Sequence, residues 1–213
     1  MLTCQDQKKN SYRAYCDFLG TEEYSRYKEC NRIFTAATLG PQGSSSDETL
    51  QYFNEARILT KEAMRVSLYP TFEELKDALV EDRIQIAVVP HAYHNINLFY
   101  MSPAIRLLGI FIFPTPVYGL ARRRGSTKNF SDYREILTHP APVPLMDYLL
   151  PKTCSQEIKV RLVSSTSQAA ILVSKEFDEL AITNEQAVSE YGLEFIKTYG
   201  EILMSWSVFG RGE

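Results

Sequence analysis

The residues best suited to chemistry follow one apolar run. Ile84-Gln85-Ile86-Ala87-Val88-Val89-Pro90 leads directly into His91-Ala92-Tyr93-His94-Asn95. The β-branched run has the pattern of a strand buried on both faces of a parallel sheet, and Pro90, which has no N–H, closes it. Ligands of open α/β sheets bind beyond the carboxyl ends of the strands, which is where His91, Tyr93 and His94 fall. An imidazole titrates near neutrality and suits proton transfer. Two turns are rich in hydroxyls: Gly43-Ser44-Ser45-Ser46, ahead of a helix, and Ser164-Ser165-Thr166-Ser167, ahead of another. Hydroxyls and backbone N–H groups at a helix start hold anions, and the same residue types also serve as ordinary N-caps. Arg122-Arg123-Arg124 is the one dense basic run, able to neutralise an anion or to form a solvated turn, and His139 sits in a Pro-rich loop.

Two α/β lobes are needed to position these groups. The pattern predicts a strand over 33–39, the Gly/Pro/Ser turn, a helix over 47–57 and a strand over 63–68. The capping-box spacing Thr71-Phe72-Glu73-Glu74 opens a helix to Val80. The strand before His91, a short helix over 95–101 and a strand over 106–113 complete a β-α-β-α-β order, the signature of a doubly wound sheet. Pro114-Thr115-Pro116 reads as a crossover to a second lobe. That lobe is predicted to hold a strand over 117–122 and a helix capped by Ser131 and running to Leu137. A rigid loop over 139–144, a helix over 145–150 and a strand over 158–163 follow. The second hydroxyl turn then leads into a helix to Lys175, a strand over 179–183 and a helix from Asn184 to near Gly192. Residues 193–199 are expected to cross back, and 203–210 to add a last strand to the first lobe. The domains expected are therefore an N-terminal helical extension, 1–33; a first lobe, 34–115, completed by 198–213; and a second lobe, 116–197. In the extension, Tyr12, Tyr15, Cys16 and Leu19 recur at helical spacing, and a second helix is expected over 21–31. It either packs on the body or acts as a dimerisation arm, the second reading implying a homodimer. Two such lobes joined by two crossovers are the architecture of type II periplasmic-binding-protein-like folds, whose cleft suits a small anion.

The totals exclude several classes. With 213 residues and a net charge of -3, the chain lacks the basic balance of a nucleic-acid surface. No apolar run approaches the roughly 20 residues of a membrane span. Residues 1–10 are polar with no apolar core, so no secretory signal is expected and a cytoplasmic location is. Cys4, Cys16, Cys30 and Cys154 form no C-x-x-C pair, and free thiols are expected.

Several motifs in order resemble the prephenate dehydratases. Leu39-Gly40-Pro41-Gln42-Gly43-Ser44-Ser45-Ser46 is similar to their G-P-x-G-T-x-S opening, and Ser165-Thr166-Ser167-Gln168-Ala169-Ala170 to their S-T-x-x-A-A motif. Ala181-Ile182-Thr183-Asn184 followed by Tyr191-Gly192-Leu193 resembles their segment ending in Y-G-L. The chain departs from them at two places. Pro90-His91-Ala92-Tyr93-His94 stands where they have P-x-E-N-S, and Met204-Ser205-Trp206-Ser207-Val208-Phe209-Gly210 where they have Thr-Arg-Phe. The sequence stops soon after, so their regulatory ACT domain is expected to be absent. In this combination the chain resembles the non-aromatizing prephenate decarboxylases of the bacilysin, anticapsin and aeruginosin type.

The resemblance implies a carbon–carbon lyase of secondary metabolism (antibiotic biosynthesis). It would release CO₂ from prephenate, protonate the ring and keep the ring hydroxyl, giving a dihydro-4-hydroxyphenylpyruvate. It implies no metal and no organic cofactor, because the ring itself accepts the electrons. His91 and Tyr93 become the candidates for proton donation or for orienting the ring hydroxyl, with His139 and His94 behind them. Ser44, Ser46, Ser165 and Thr166 would bind carboxylates, Arg122 or Arg123 would neutralise the pyruvyl carboxylate, and Asn184 matches a dehydratase cleft position. Ser205 and Trp206 replace the Thr-Arg pair, Trp206 as an apolar wall. The competing readings are a dehydratase with a divergent site, giving phenylpyruvate, and a non-catalytic cytosolic ligand-binding module.

Overall fold

The computed structural model describes residues 18–29, 33–56, 58, 64–152 and 158–212. In chain order the strands are β1 (Leu19–Gly20), β2 (Thr35–Leu39), β3 (Arg65–Tyr69), β4 (Ile86–Pro90), β5 (Ile105–Pro114), β6 (Tyr118–Arg123), β7 (Glu135–Thr138), β8 (Lys159–Leu162), β9 (Leu180–Asn184), β10 (Leu193–Gly200) and β11 (Leu203–Arg211). The helices are α1 (Glu22–Glu29), α2 (Ser45–Glu55), α3 (Phe72–Val80), α4 (Asn97–Tyr100), α5 (Met146–Leu149), α6 (Thr166–Lys175) and α7 (Glu185–Glu190). The chain divides into two units: Met1–Gln42, Ser46–Pro114 and Leu203–Glu213 form one, and Gly43–Ser45 with Thr115–Ile202 form the other.

The first unit is built on a six-stranded sheet ordered β1-β5-β11-β4-β2-β3. β2 runs parallel to β3 and to β4, while β11 runs antiparallel to both β4 and β5. Every residue of β4 is buried, and its side chains alternate between two cores. Ile86 and Val88 join Leu50, Phe53, Phe111, Trp206 and Val208 on one face; Ala87 and Val89 join Leu75, Leu79, Phe99 and Phe209 on the other. A strand covered on both sides is continuously apolar for that reason. Thr71 caps α3, its hydroxyl accepting from the Glu74 N–H.

The second unit holds a five-stranded sheet ordered β10-β6-β9-β7-β8. β7 is parallel to β8 and β9, and β6 is antiparallel to β9 and β10. Its cores are led by Leu137, Ala170, Val173, Ala181 and Leu193 on one side and by Leu120, Tyr133, Ile136, Leu149 and Ile182 on the other.

Three expectations are corrected. Residues 131–137 do not form a helix. Asn129 caps a single 3-10 turn, Phe130–Asp132, and the chain then enters β7. Ile136 and Leu137 are fully buried between β8 and β9, so tertiary pairing overrides a local helix-start signal. Residues 145–150 are helical as expected, a 3-10 turn, Val143–Leu145, running into the short α5. Residues 193–199 do not cross back, because β10 pairs with β6, and the passage to the first unit falls between Ile202 and Leu203. The N-terminal segment is not separate from the sheet, since Leu19 and Gly20 pair with Ile110 and Gly109 of β5. The helix expected around Tyr12, Tyr15 and Cys16 and all four cysteines lie outside the described residues.

Candidate active site

In the first unit, the pairing of β4 with β11 builds a polar cluster at the carboxyl end of β4. Pro90 pairs with Trp206 and Val89 with Ser207, and the His91 N–H continues the ladder to the Ser205 carbonyl at 3.0 Å. Alternation along β11 puts Ser205 and Ser207 on the face that elsewhere carries Ala87, Val89 and Phe209. Both hydroxyls meet the imidazole: His91 Nδ1 lies 2.6 Å from Ser205 Oγ and Nε2 2.5 Å from Ser207 Oγ. The Tyr100 hydroxyl, from the last residue of α4, lies 2.7 Å from Ser207 Oγ and 3.2 Å from His91 Nε2. Burial lowers the His91 pKa from its ordinary value, which favours the neutral ring.

Tyr93, two residues on, leads elsewhere. Its hydroxyl donates to Glu73 Oε1 of α3 at 2.7 Å. Burial first, and the Glu73 carboxylate second, push its pKa up to about 12. The same bond holds the Glu73 carboxyl below its ordinary value. His94 is exposed and packs edge-on against Tyr93. Trp206 is the correction at this site. It is 0% exposed, packs among Ile86, Val88 and Phe111, and donates from Nε1 to the Phe113 carbonyl at 3.2 Å. Facing the opposite way from Ser205 on the same strand, it is core rather than a wall for ligand.

β2 and β4 are parallel neighbours, so the turn after β2 leaves the sheet at the same edge as His91. Ser46 lies in the first turn of α2 and is buried there. Ser44, grouped with the second unit, is buried as well. Gly43 between them and β2 has φ 75°, a left-handed conformation that glycine adopts without strain.

In the second unit the carboxyl ends of β7, β8 and β9 share one edge. His139 follows β7, its Nδ1 accepting from the Ala141 N–H at 3.2 Å. Ser165 caps α6, accepting from the Gln168 N–H at 2.9 Å, and Thr166 behind it is buried. Thr183 ties the two elements by donating to the Thr166 carbonyl at 2.8 Å. Asn184 is fully buried; it caps α7 through the Ala187 N–H at 2.8 Å and donates to the Gly43 carbonyl at 3.4 Å. The capping alternative for Ser165 is thus realised, and Asn184, where a helix is expected to begin, is the cap of that helix. Tyr118, at this edge, bonds the Ser45 hydroxyl at 3.0 Å. Ser167, 1% exposed, has a buried hydroxyl with no hydrogen-bond partner among the described residues.

Arg122 and Arg123 do not join this edge. β6 runs antiparallel to β9, with Tyr118 opposite Asn184, so four residues further on the chain is about 13 Å away at roughly 3.3 Å per residue. Arg122 is paired there with Glu194 at 2.7 Å, which raises its pKa, and Arg123 donates to the Val173 carbonyl at 3.1 Å. Among the described residues, no three His, Cys, Asp or Glu side chains group so as to hold a metal ion. Sequence reading missed Ser207, Tyr100, Tyr118 and Ser167. The first two are drawn to His91 by strand register and by α4, contacts that have no sequence-local signal.

No protein-family model matches the chain. Prephenate decarboxylase from Planktothrix agardhii (strain NIVA-CYA 126/8) is 48% identical over 181 residues, 84% of this chain and 89% of that protein. Prephenate decarboxylase from Bacillus subtilis (strain 168) is 38% identical over 191 residues, 88% of this chain and 92% of that protein. Among solved structures, the Arthrobacter aurescens prephenate dehydratase in complex with L-Phe superposes with a TM-score of 0.62 at 19% identity. The match covers 84% of this chain and spans 61% of the dehydratase. A periplasmic substrate-binding protein of an ABC transporter from Coxiella burnetii gives 0.54 at 12% identity over 84% of each chain. The fold is the mixed α/β fold shared by prephenate dehydratases and periplasmic binding proteins.

Proposed function

The chain belongs to the family of prephenate decarboxylases, and from that premise we propose how its residues carry the reaction. The protein is a carboxy-lyase that decarboxylates prephenate. The bond between the quaternary ring carbon and its carboxylate breaks and CO₂ departs. The electron pair enters the ring, shifting a double bond, and a distal ring carbon takes one proton. In our reading the ring hydroxyl stays, and the product is a dihydro-4-hydroxyphenylpyruvate destined for a secondary metabolite.

One observation carries the reading: an imidazole held by hydroxyls on both nitrogens at the carboxyl end of β4, where burial favours its neutral form. A neutral imidazole bonded to hydroxyls can move a proton to carbon but is a weak acid toward an alcohol, so the hydroxyl is not helped to leave as water. His91, acting through Ser205, is therefore the proton source. Tyr93 is the lesser candidate, since its phenol proton is already committed to the Glu73 carboxylate. Ser46 in the first unit, and Ser44, Ser165 and Thr166 in the second, offer hydroxyls at helix starts for carboxylates. The Ser167 hydroxyl beside Thr166, without a hydrogen-bond partner among the described residues, supports a ligand there, and Asn184 and His139 share that edge. Arg122 and Arg123 have no part, being engaged at the far end of β6. A homodimer in the cytoplasm is the proposed working form.

The test is incubation with prephenate, following CO₂ and the product by NMR. A non-aromatic keto acid that keeps its hydroxyl is expected. Phenylpyruvate formed faster than by spontaneous aromatization overturns the reading in favour of a dehydratase, and tight binding without CO₂ release in favour of a binding module.

A further inference from the structure

Ser207 is 0% exposed in the middle of the six-stranded sheet, on β11 between β4 and β5. The residues paired with it are Val89 and Ile110, and Phe209 follows on the same face. A buried hydroxyl among apolar neighbours costs stability unless it is hydrogen-bonded. Here it is bonded to His91 Nε2 at 2.5 Å and to the Tyr100 hydroxyl at 2.7 Å. Tyr100 stands edge-on against Phe209 and is 38% exposed, so its ring is fixed while its surface reaches solvent. Four groups thus form one chain: Tyr100, Ser207, His91 and Ser205.

The direction of that chain follows from its donors. The hydroxyls of Ser207 and Tyr100 both converge on Nε2, at 2.5 and 3.2 Å, whereas Ser205 alone faces Nδ1. A phenol is a stronger donor than an aliphatic hydroxyl. With the phenol as the donor, Ser207 accepts from Tyr100 and donates to Nε2. A neutral imidazole that accepts at Nε2 carries its proton on Nδ1, where it donates to Ser205 Oγ. The Ser205 O–H is then left to donate outward.

We propose that Tyr100 and Ser207 are positioning residues that hold His91 in the Nδ1–H tautomer and resupply, from solvent, the proton that Ser205 delivers in each turnover. This rests on the decarboxylase reading and deepens it, since decarboxylation with ring protonation consumes one proton per CO₂ released. In the transfer, the Ser205 O–H bond breaks as the ring C–H bond forms, and Ser205 takes the Nδ1 proton. Nε2 takes the Ser207 proton, Ser207 takes the Tyr100 proton, and Tyr100 takes one from water. No charge accumulates on the chain; the imidazole is left as the Nε2–H tautomer and returns to Nδ1–H after product leaves, when Nε2 gives its proton back through Ser207 and Tyr100 while half-buried Ser205 passes its own to Nδ1 and takes one from water.

Two measurements test this on the intact protein. The first is the ¹⁵N spectrum of the His91 ring without substrate, in the wild type, Tyr100→Phe and Ser207→Ala. The wild type is expected in the Nδ1–H form, and both variants are expected to move toward the Nε2–H form that free histidine favours. An Nε2–H wild type, or variants whose tautomer does not change, overturns the proposal. The second measurement is kcat, KM and the solvent isotope effect with prephenate. Tyr100→Phe keeps the ring packing and is expected to lower kcat roughly 10-fold, within the range for assisted proton transfer. Its KM should stay unchanged and its isotope effect should rise. Wild-type kcat and isotope effect in Tyr100→Phe overturn the proposal even if Ser207→Ala fails to fold. Failure of the decarboxylase reading shows separately, as absence of CO₂ release by the wild type.

Discussion

A neutral imidazole with a hydroxyl on each nitrogen is a group prepared to pass a proton rather than to hold a charge, and its replacement has a definite expected cost. His91→Gln keeps a polar group between Ser205 and Ser207 but cannot accept and donate in turn. Its kcat with prephenate should fall by roughly 10², while Tyr93→Phe, which only releases Glu73, should leave kcat close to wild type. Equal losses in the two variants, read by CO₂ release, would move the proton source to Tyr93. The lowered pKa of His91 also gives a sign. Protonation breaks acceptance from Ser207, so kcat/KM should fall on the acid side, with its midpoint below the ordinary value of about 6.5. The same shift makes folding stability decline as pH drops below about 6.5, because the unfolded chain takes up a proton that the folded ring resists. An acid limb that persists unaltered in His91→Gln would assign the titration elsewhere. His91 was legible in the sequence because a continuous apolar strand closed by Pro90 exposes what comes next. Ser207 and Tyr100 were not, because Ser207 reaches His91 only through the register of β11 against β4. The Arg122-Arg123 run misled because a basic run says nothing about which edge of the sheet its strand ends on.

At the scale of elements, local signals were read correctly where the chain is free to follow them. The Thr71-to-Glu74 spacing does open α3, with Thr71 accepting from the Glu74 N–H at 3.1 Å. Removing that hydroxyl leaves one N–H of the first turn to water, so Thr71→Ala should cost about 1 kcal/mol. Urea unfolding measures it, and a loss indistinguishable from zero would mean that the packing of Phe72 and Leu75, not the cap, fixes the start of α3. The β7 segment shows the opposite case. The capping residue there is Asn129 rather than Ser131, which lies inside the 3-10 turn that Asn129 caps. Yet Ile136 and Leu137 are worth more between β8 and β9, fully buried, than on a helix. No window of sequence around residue 135 contains the two strands that decide it. Trp206 failed for a related reason. Alternation along β11 sends Ser205 and Ser207 to the face of His91 and Trp206 and Val208 to the core of the other face, and the face of one strand is known only once its neighbours are.

The order of strands in the first unit ties its folding to the end of the chain. β11 lies between β4 and β5 and pairs with both, yet it is made after the whole of Thr115–Ile202. Until it arrives, β5 has no partner on the β4 side, and the two cores that β11 supplies with Trp206, Val208 and Phe209 are open. The five strands of the second unit all precede it. A chain ending at Ile202 should therefore lose the first unit and keep the second. The expected amide-exchange pattern is protection across β6 to β10 with β2 to β5 unprotected. Trp206, the single tryptophan of the chain, gives an independent reading on the full-length protein. Its fully buried indole should report the first unit alone during denaturant unfolding, while far-UV circular dichroism reports both. Protected β4 and β5 amides in the truncated chain would mean that β2, β3 and β4 close a core without β11. His91 would then owe its position to the parallel strands rather than to the last one made.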